Sequence, residues 1–200
     1  MANTGAIAGV DEAGRGPLAG PVFAGAVILD AKRIPNGIDD SKKLSERTRE
    51  KLYEEIVANA LTGIGEASVE EIDRLNIRRA THLAMARAVK ALRFAPAYAL
   101  VDGNDAPALP CPCETIIGGD AHSLSIAAAS IIAKVARDRV MKALDTEFPD
   151  YGWRSNKGYG TKDHLEALTR HGPCPHHRRS FAPVYHMLGA VNPEDSRITI

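Results

Sequence analysis

Apolar positions along the chain fall into short runs closed by glycine and longer stretches with helical spacing, the two kinds alternating. Ile7 to Glu12 reads as a short strand. Pro21 to Leu29, rich in β-branched and small residues, reads as a second, and the tight glycine-rich connection between them predicts an antiparallel pair. Ser45, followed by Glu46, Arg47 and Arg49, marks the N-cap of a helix reaching about Ala60, and Leu61 to Val69 fits a third strand. From Asn76 to Arg93, residues Ile77, Ala80, Leu83, Ala84, Ala88 and Leu92 recur near helical spacing, so this helix packs along one face. Tyr98 to Val101 and Glu114 to Ile117 are short strands of buried type. A long helix rich in Ala and Ile spans about Ser123 to Glu147, and Thr161 caps a helix that Gly172 and Pro173 stop after His171. The alternation predicts an α/β fold in one domain over residues 1–200, of which about 151–200 forms a basic helical appendage.

Composition narrows the class. A hydrophobic fraction of 44% in 200 residues suits a full core, and no apolar run reaches the roughly 18 residues of a membrane span. Cys111, Cys113 and Cys174 are an odd set with no export signal before them, which points to reduced thiols in a cytoplasm. Their spacing with His176 fits no standard zinc framework. The formal net charge is zero, which argues against coating nucleic acid by bulk charge but leaves room for a local basic groove. Between Tyr151 and Pro183 six Lys and Arg residues face only Asp163 and Glu166. Tyr151, Trp153, Tyr159 and Phe181 are interleaved with them, so the segment reads as a surface for phosphates, sugars or bases. His176 and His177, ahead of two arginines, are expected to support that surface where it meets nucleic acid.

The chemistry concentrates in carboxylates at strand ends. Asp11 and Glu12, then Asp102, then Asp120 each fall where a strand stops, the side of an α/β sheet where ligands bind. One such Asp is commonly a turn former; three strand ends each delivering a carboxylate is a stronger signal. Four hard oxygen donors with no Cys or His among them select Mg²⁺ or Mn²⁺ over zinc. Strand alternation sends Asp11 and Glu12 to opposite faces, so for both to serve one site Glu12 has to lie in the turn. Gly14 and Gly16 flank Arg15 directly afterwards, and their bare backbone lets main-chain groups approach a ligand.

Six segments together resemble bacterial ribonuclease HII over nearly the whole chain: Gly9-Val-Asp-Glu-Ala-Gly-Arg-Gly-Pro17, Asp40-Ser-Lys-Lys-Leu44, Val101-Asp-Gly-Asn104, Ser125 to Val135, Lys157-Gly-Tyr-Gly-Thr161 and His176-His-Arg-Arg-Ser-Phe181. His122, just past Asp120, stands where that family commonly has lysine, and Trp153 where phenylalanine is frequent. The resemblance implies a ribonuclease H-like mixed sheet flanked by helices, with Asp11, Glu12, Asp102 and Asp120 as catalytic residues and metal ligands. It implies two divalent ions, Mn²⁺ or Mg²⁺, about 4 Å apart, one activating water and the other stabilising the leaving 3′ oxygen. The implied substrates are RNA–DNA hybrids and DNA duplexes carrying single ribonucleotides, cut on the 5′ side to leave 3′-hydroxyl and 5′-phosphate.

Telling RNA from DNA requires engaging the 2′-hydroxyl. Backbone groups of Gly14, Arg15 and Gly16 suit that task, and a site built to bond a hydroxyl rejects its absence by roughly 10⁴-fold. By resemblance Tyr159 stacks on the neighbouring sugar, while Lys42 and Lys43 are candidates to hold the nucleic-acid backbone, with Lys134 and Arg137 similar. A type 1 ribonuclease H would share the carboxylates but not the glycine-arginine-glycine loop or Tyr159. Ribonuclease HIII usually has another loop after its acidic pair, and a nucleotide-binding module would show a phosphate loop that is missing here. The chain is expected to be a monomer without membrane attachment. Its C-terminus carries no recognisable clamp-binding peptide, which leaves protein partners unknown.

Overall fold

The computed structural model describes residues 5–189. The first four residues and 190–200, the end of the expected appendage and the stretch where a clamp-binding peptide would be sought, lie outside the described residues. Five strands form one mixed sheet: β1 (Ile7–Ala13), β2 (Val22–Leu29), β3 (Ala60–Ala67), β4 (Tyr98–Asp102) and β5 (Cys113–Ile116). Their order is β3-β2-β1-β4-β5, with β2 antiparallel to both of its neighbours, β1 and β3, and with β1, β4 and β5 parallel. The helices are α1 (Glu46–Asn59), α2 (Val69–Leu75), α3 (Ile77–Ala91), α4 (Leu124–Glu147), α5 (Trp153–Asn156), α6 (Lys162–His171) and α7 (Ala182–Met187). This is the α/β mixed-sheet architecture that the hydrophobic pattern and the resemblance anticipate.

One face of the sheet carries α3: Ala8, Val10, Ala24, Ala26, Ala99 and Val101 cluster with Ala80, Ala84, Met85 and Ala88. The other carries α4, whose Ala127, Ala128, Ala129 and Ile131 cluster with Val27 and with Ile56 of α1. Helix α4 sits unusually close to the sheet because the strand residues beneath it are small. A Cβ on Gly9 would lie 2.1 Å from the Ser125 carbonyl carbon, and one on Gly25 would lie 2.4 Å from the Ala129 oxygen. Among the described residues no helix is long and apolar enough to cross a membrane.

Two parts of the sequence reading change. Helix α2 occupies the end of what reads as a longer third strand. Its start was legible, since Ser68 and Glu71 form a reciprocal capping box, but its seven residues are too few for a periodic signal. Asn76, at φ 65°, ends α2 and caps α3, so the two helices follow without a loop.

The Tyr151–Pro183 segment divides: most of its aromatics, with His164, His177 and Arg178, turn inward, while Arg154, Lys162, Arg170 and Arg179 stay exposed. Leu18, Ala19, Met141, Tyr151, Trp153, Leu168 and Val184 form a third apolar cluster, with Tyr151 stacked on Trp153 at 5.1 Å. Trp153, His164, His177 and Arg178 are all 0% exposed. Truncating a buried Trp costs about 3–5 kcal/mol, so these aromatics hold the C-terminal helices onto the end of α4. Tyr159 is the exception, 47% exposed.

Candidate active site

The carboxylates meet because of strand register. The last pair of the parallel β1–β4 ladder is Val10 with Val101, which sets Asp11 beside Asp102 one step further on. Ala8, Val10, Ala99 and Val101 face α3 while Gly9 abuts α4, so alternation turns Asp11 and Asp102 together toward α4. Glu12 is not in a turn. It still belongs to β1, paired with Ala24, and points to the α3 face. Both carboxylates nevertheless serve one locus, because they straddle the sheet edge rather than share a face. Glu12 and Asp102 line a cavity of about 360 Å³ on the α3 side with Arg15, Arg78 and His82. The same two line a second cavity of about 260 Å³ with Asp11, Gly14, Arg15, Gly16, Ser41, Lys42, Lys134, Arg137 and Tyr159.

Asp120 sits in the single turn Gly119–Ala121 after β5, whose Gly119 N–H donates to Asp102 Oδ1 at 2.7 Å and fixes that side chain. Asp120 does not line the second cavity; it approaches it through Lys42 Nζ at 3.9 Å. Lys43 turns to Asp39 at 3.2 Å and lines neither cavity. Arg15 pairs with Glu12 at 3.4 Å. Lys134 binds Asp138 at 2.6 Å, and Arg137 is buried and donates only to main-chain carbonyls, so it is not a phosphate contact.

The electrostatics are those of uncompensated acid. Burial, then Glu12 and Asp102, push the Asp11 carboxyl well above its ordinary range. Burial raises Glu12 against the opposing pull of Arg15, and burial with Asp40 and Asp102 raises Asp120. Burial disfavours the Lys42 ammonium, but Asp40, Asp120, Asp11 and Asp102 outweigh it and raise its pKa. Among the described residues no three His, Cys, Asp or Glu side chains close into a ready metal cluster. The donor set still fits a hard divalent cation: all four candidate donors are carboxylates, and like charges this close are relieved by a cation between them.

The loop after β1 is stapled from behind. Gly14 has φ 100°, and a Cβ there would lie 2.0 Å from Arg137 Nε, so only glycine allows this approach. Arg178 donates to the carbonyls of Gly14 and Arg15, and a Cβ on Gly16 would meet the Tyr159 ring at 3.4 Å. Tyr159 is held through its backbone. His177 Nδ1 accepts the Cys174 N–H at 3.0 Å, so its proton sits on Nε2 and is donated to His164 Nε2 at 3.1 Å. His164 then carries its proton on Nδ1 and donates to the Tyr159 carbonyl at 2.9 Å. The expected duplex-facing role of His177 therefore gives way to an internal one. Sequence reasoning missed Arg178 and Ser41 as site-building residues. Arg178 was visible only as one of two tandem arginines, and in extended backbone one of such a pair turns inward.

This fold defines a class. The ribonuclease H2 of Pyrococcus horikoshii superposes with a TM-score of 0.77 at 28% identity, covering 96% of this chain and 99% of that one. The ribonuclease HII of Archaeoglobus fulgidus, solved as a complex with PCNA, gives 0.74 at 30% identity, covering 86% and 93%. The sheet order and flanking helices are thus those of the ribonuclease H-like fold. In sequence, the ribonuclease HII of Paramagnetospirillum magneticum is 61% identical over 184 residues, covering 90% of this chain and 92% of that one. Residues 8–184 match the family model for ribonuclease HII, and the chain belongs to that family. It is accordingly a ribonuclease H hydrolase, an endoribonuclease acting on RNA–DNA hybrids.

Proposed function

We propose that this enzyme also nicks DNA duplexes on the 5′ side of a single embedded ribonucleotide, leaving 3′-hydroxyl and 5′-phosphate ends. The observation that carries the reading is that one cavity of about 260 Å³ is lined at once by Asp11, Glu12 and Asp102, by the Gly14–Arg15–Gly16 loop and by Tyr159. A phosphodiester on the carboxylates thus has its ribose beside a bare-backbone loop and an exposed aromatic ring. Asp11, Glu12, Asp102 and Asp120 would hold two divalent ions, Mg²⁺ or Mn²⁺. The chemistry those ions supply when bound is Lewis acidity, which lowers the pKa of the attacking water and offsets charge on the departing oxygen. The loop bonds the 2′-hydroxyl, Tyr159 stacks on the next sugar and favours a deoxyribose there, and Lys42 offers an ammonium to phosphate. Residues from about 151 form an appendage that carries Tyr159 and buttresses the loop. The enzyme works as a monomer in the cytoplasm, consistent with the free Cys111, Cys113 and Cys174.

The test is cleavage of a labelled DNA duplex carrying one ribonucleotide, with Mg²⁺, with Mn²⁺ and with EDTA. One metal-dependent nick 5′ to the ribonucleotide, with the all-deoxy duplex intact, is the expected result. Degradation of long hybrids with the single ribonucleotide spared would refute the junction-reading role of the loop and Tyr159.

A further inference from the structure

We infer that Arg178 is a positioning residue for sugar recognition, holding the Gly14–Arg15–Gly16 loop so that it presents two amide donors to the cavity. Its guanidinium is fully buried, and every acceptor it finds is a main-chain carbonyl: Gly14 at 2.6 Å, Arg15 and Gly20 at 2.9 Å, and Pro21 at 3.3 Å. The consequence follows from peptide planarity. The chain has no cis peptide bonds among the described residues, so each N–H points opposite to the carbonyl of its own peptide unit. Gly14 C=O and Arg15 N–H share one unit, and Arg15 C=O and Gly16 N–H share the next. Because Arg178 draws both carbonyls inward, both N–H groups are directed outward, and neither finds an acceptor among the described residues. The loop is thereby polarised into a donor face on the wall that also carries Tyr159.

A buried cation on carbonyls alone is an expensive way to hold a loop. Burial, with Arg137 beside it, pushes the Arg178 guanidinium down to about 9, which still leaves it charged at neutral pH. Arginine suits the task because its planar fork reaches several oxygens at fixed angles, which a lysine ammonium does not. The residue is delivered by a short tether: Ala19 bridges His177, Arg178 N–H donates to Leu18 C=O at 2.8 Å, and Asp73 of α2 accepts the N–H groups of Arg179 and Ser180 at 3.0 and 2.9 Å.

The inference rests on the reading that this loop engages the 2′-hydroxyl, and the test separates the two. In the wild-type chain, amide resonances of Arg15 and Gly16 are followed with a short duplex carrying one ribonucleotide and with its all-deoxy twin, no metal being added. Larger shifts with the ribonucleotide support the loop reading; equal shifts overturn it and this inference with it. In Arg178→Lys, the ribose-specific shift is expected to shrink, and kcat/KM at the single ribonucleotide to fall about 10- to 100-fold. The Kd for the duplex is expected to stay within about threefold, because other groups carry that affinity. A folded Arg178→Lys with undiminished ribose-specific shifts and wild-type kcat/KM overturns the positioning role alone. So does a loss of activity that merely tracks its melting curve. Should that variant fail to fold, Asp73→Ala loosens the same tether from the surface. It is expected to show a smaller loss of ribose preference, and unchanged preference there counts against the inference equally.

Discussion

Asp11 and Arg178 are both almost fully enclosed, at 5% and 0% exposure, yet their charges are handled in opposite ways. Asp11 accepts one backbone N–H, from Glu12 at 2.6 Å, and its near charges are mainly carboxylates, with Lys42 across the cavity. Arg178 uses four carbonyl acceptors, and these hold it despite the like charge of Arg137 beside it. The acidic edge is thus left electrostatically unfinished while the basic interior behind it is internally satisfied. An unfinished cluster is suited to a counter-charge such as the cation proposed for it; a satisfied one supplies rigidity. The same chain segment order delivers both, since the loop that leaves the acidic strand β1 is the one the buried arginines hold.

The largest break in this comparison comes from removing charge at the edge. Asp102→Asn is expected to lower cleavage of hybrid and junction substrates by about 10³-fold or more while duplex binding persists. Asp11→Asn should do the same and also raise thermal stability without added metal, by on the order of 1 kcal/mol, because a buried like charge is gone and the Oδ1 acceptor stays. Activity assays paired with melting curves check both. An Asp11→Asn protein that is inactive but less stable would mean that the edge is not strained by its own charge.

A second break addresses the basic interior through pH. Burial first, then the neighbouring His164, push the His177 imidazole from 6.5 down to about 4, and burial lowers His164 as well. A proton added to His164 Nε2 would meet two donors, Trp153 Nε1 and His177 Nε2, each at 3.1 Å. The folded state therefore binds fewer protons than the unfolded chain between pH 6.5 and 4, so this contribution is full above 6.5 and is lost as pH falls toward 4. For His177 the loss amounts to about 3 kcal/mol. Urea unfolding between pH 7.5 and 4 should show it, and His177→Asn should flatten that slope while lowering stability at neutral pH. An unchanged slope in the variant would place the acid sensitivity elsewhere.

The two regions also differed in legibility. The edge could be read because strand ends are marked by glycine and because three of them each deliver a carboxylate, which turn formation alone does not require, so Asp11, Asp102 and Asp120 stood out before any coordinates. What misled was the face rule applied to Glu12. One site can straddle a sheet edge, and a residue still inside the ladder reaches it from the other side. The interior resisted reading for a different reason. Arg178, His164 and His177 are polar residues used as core, and nothing in a sequence distinguishes a guanidinium meant for phosphate from one meant for four carbonyls until the segment opposite it is known. Trp153 and Tyr151, interleaved with those charges, reinforced the wrong picture. Helix α2 was missed because seven residues make fewer than two full turns of periodicity, although its capping box was in plain view.

The smallest expected effect sharpens the boundary of the acidic edge. Lys42 and Lys43 are neighbours in sequence and equivalent in composition, but of the two only Lys42 lines the cavity beside Asp11 and Tyr159 and has its charge reinforced by Asp40, Asp120, Asp11 and Asp102. Lys43 is turned to Asp39. If Lys42 meets a phosphate, Lys42→Ala should weaken duplex binding severalfold and reduce the magnitude of the slope of log K against log salt by about 0.9, the value for one lost phosphate contact. Lys43→Ala should leave that slope unchanged. Binding isotherms at several salt concentrations decide the point. Equal slopes for both variants would mean that the lysine pair acts only through diffuse field and that the acidic edge holds its substrate without a dedicated cation from this loop.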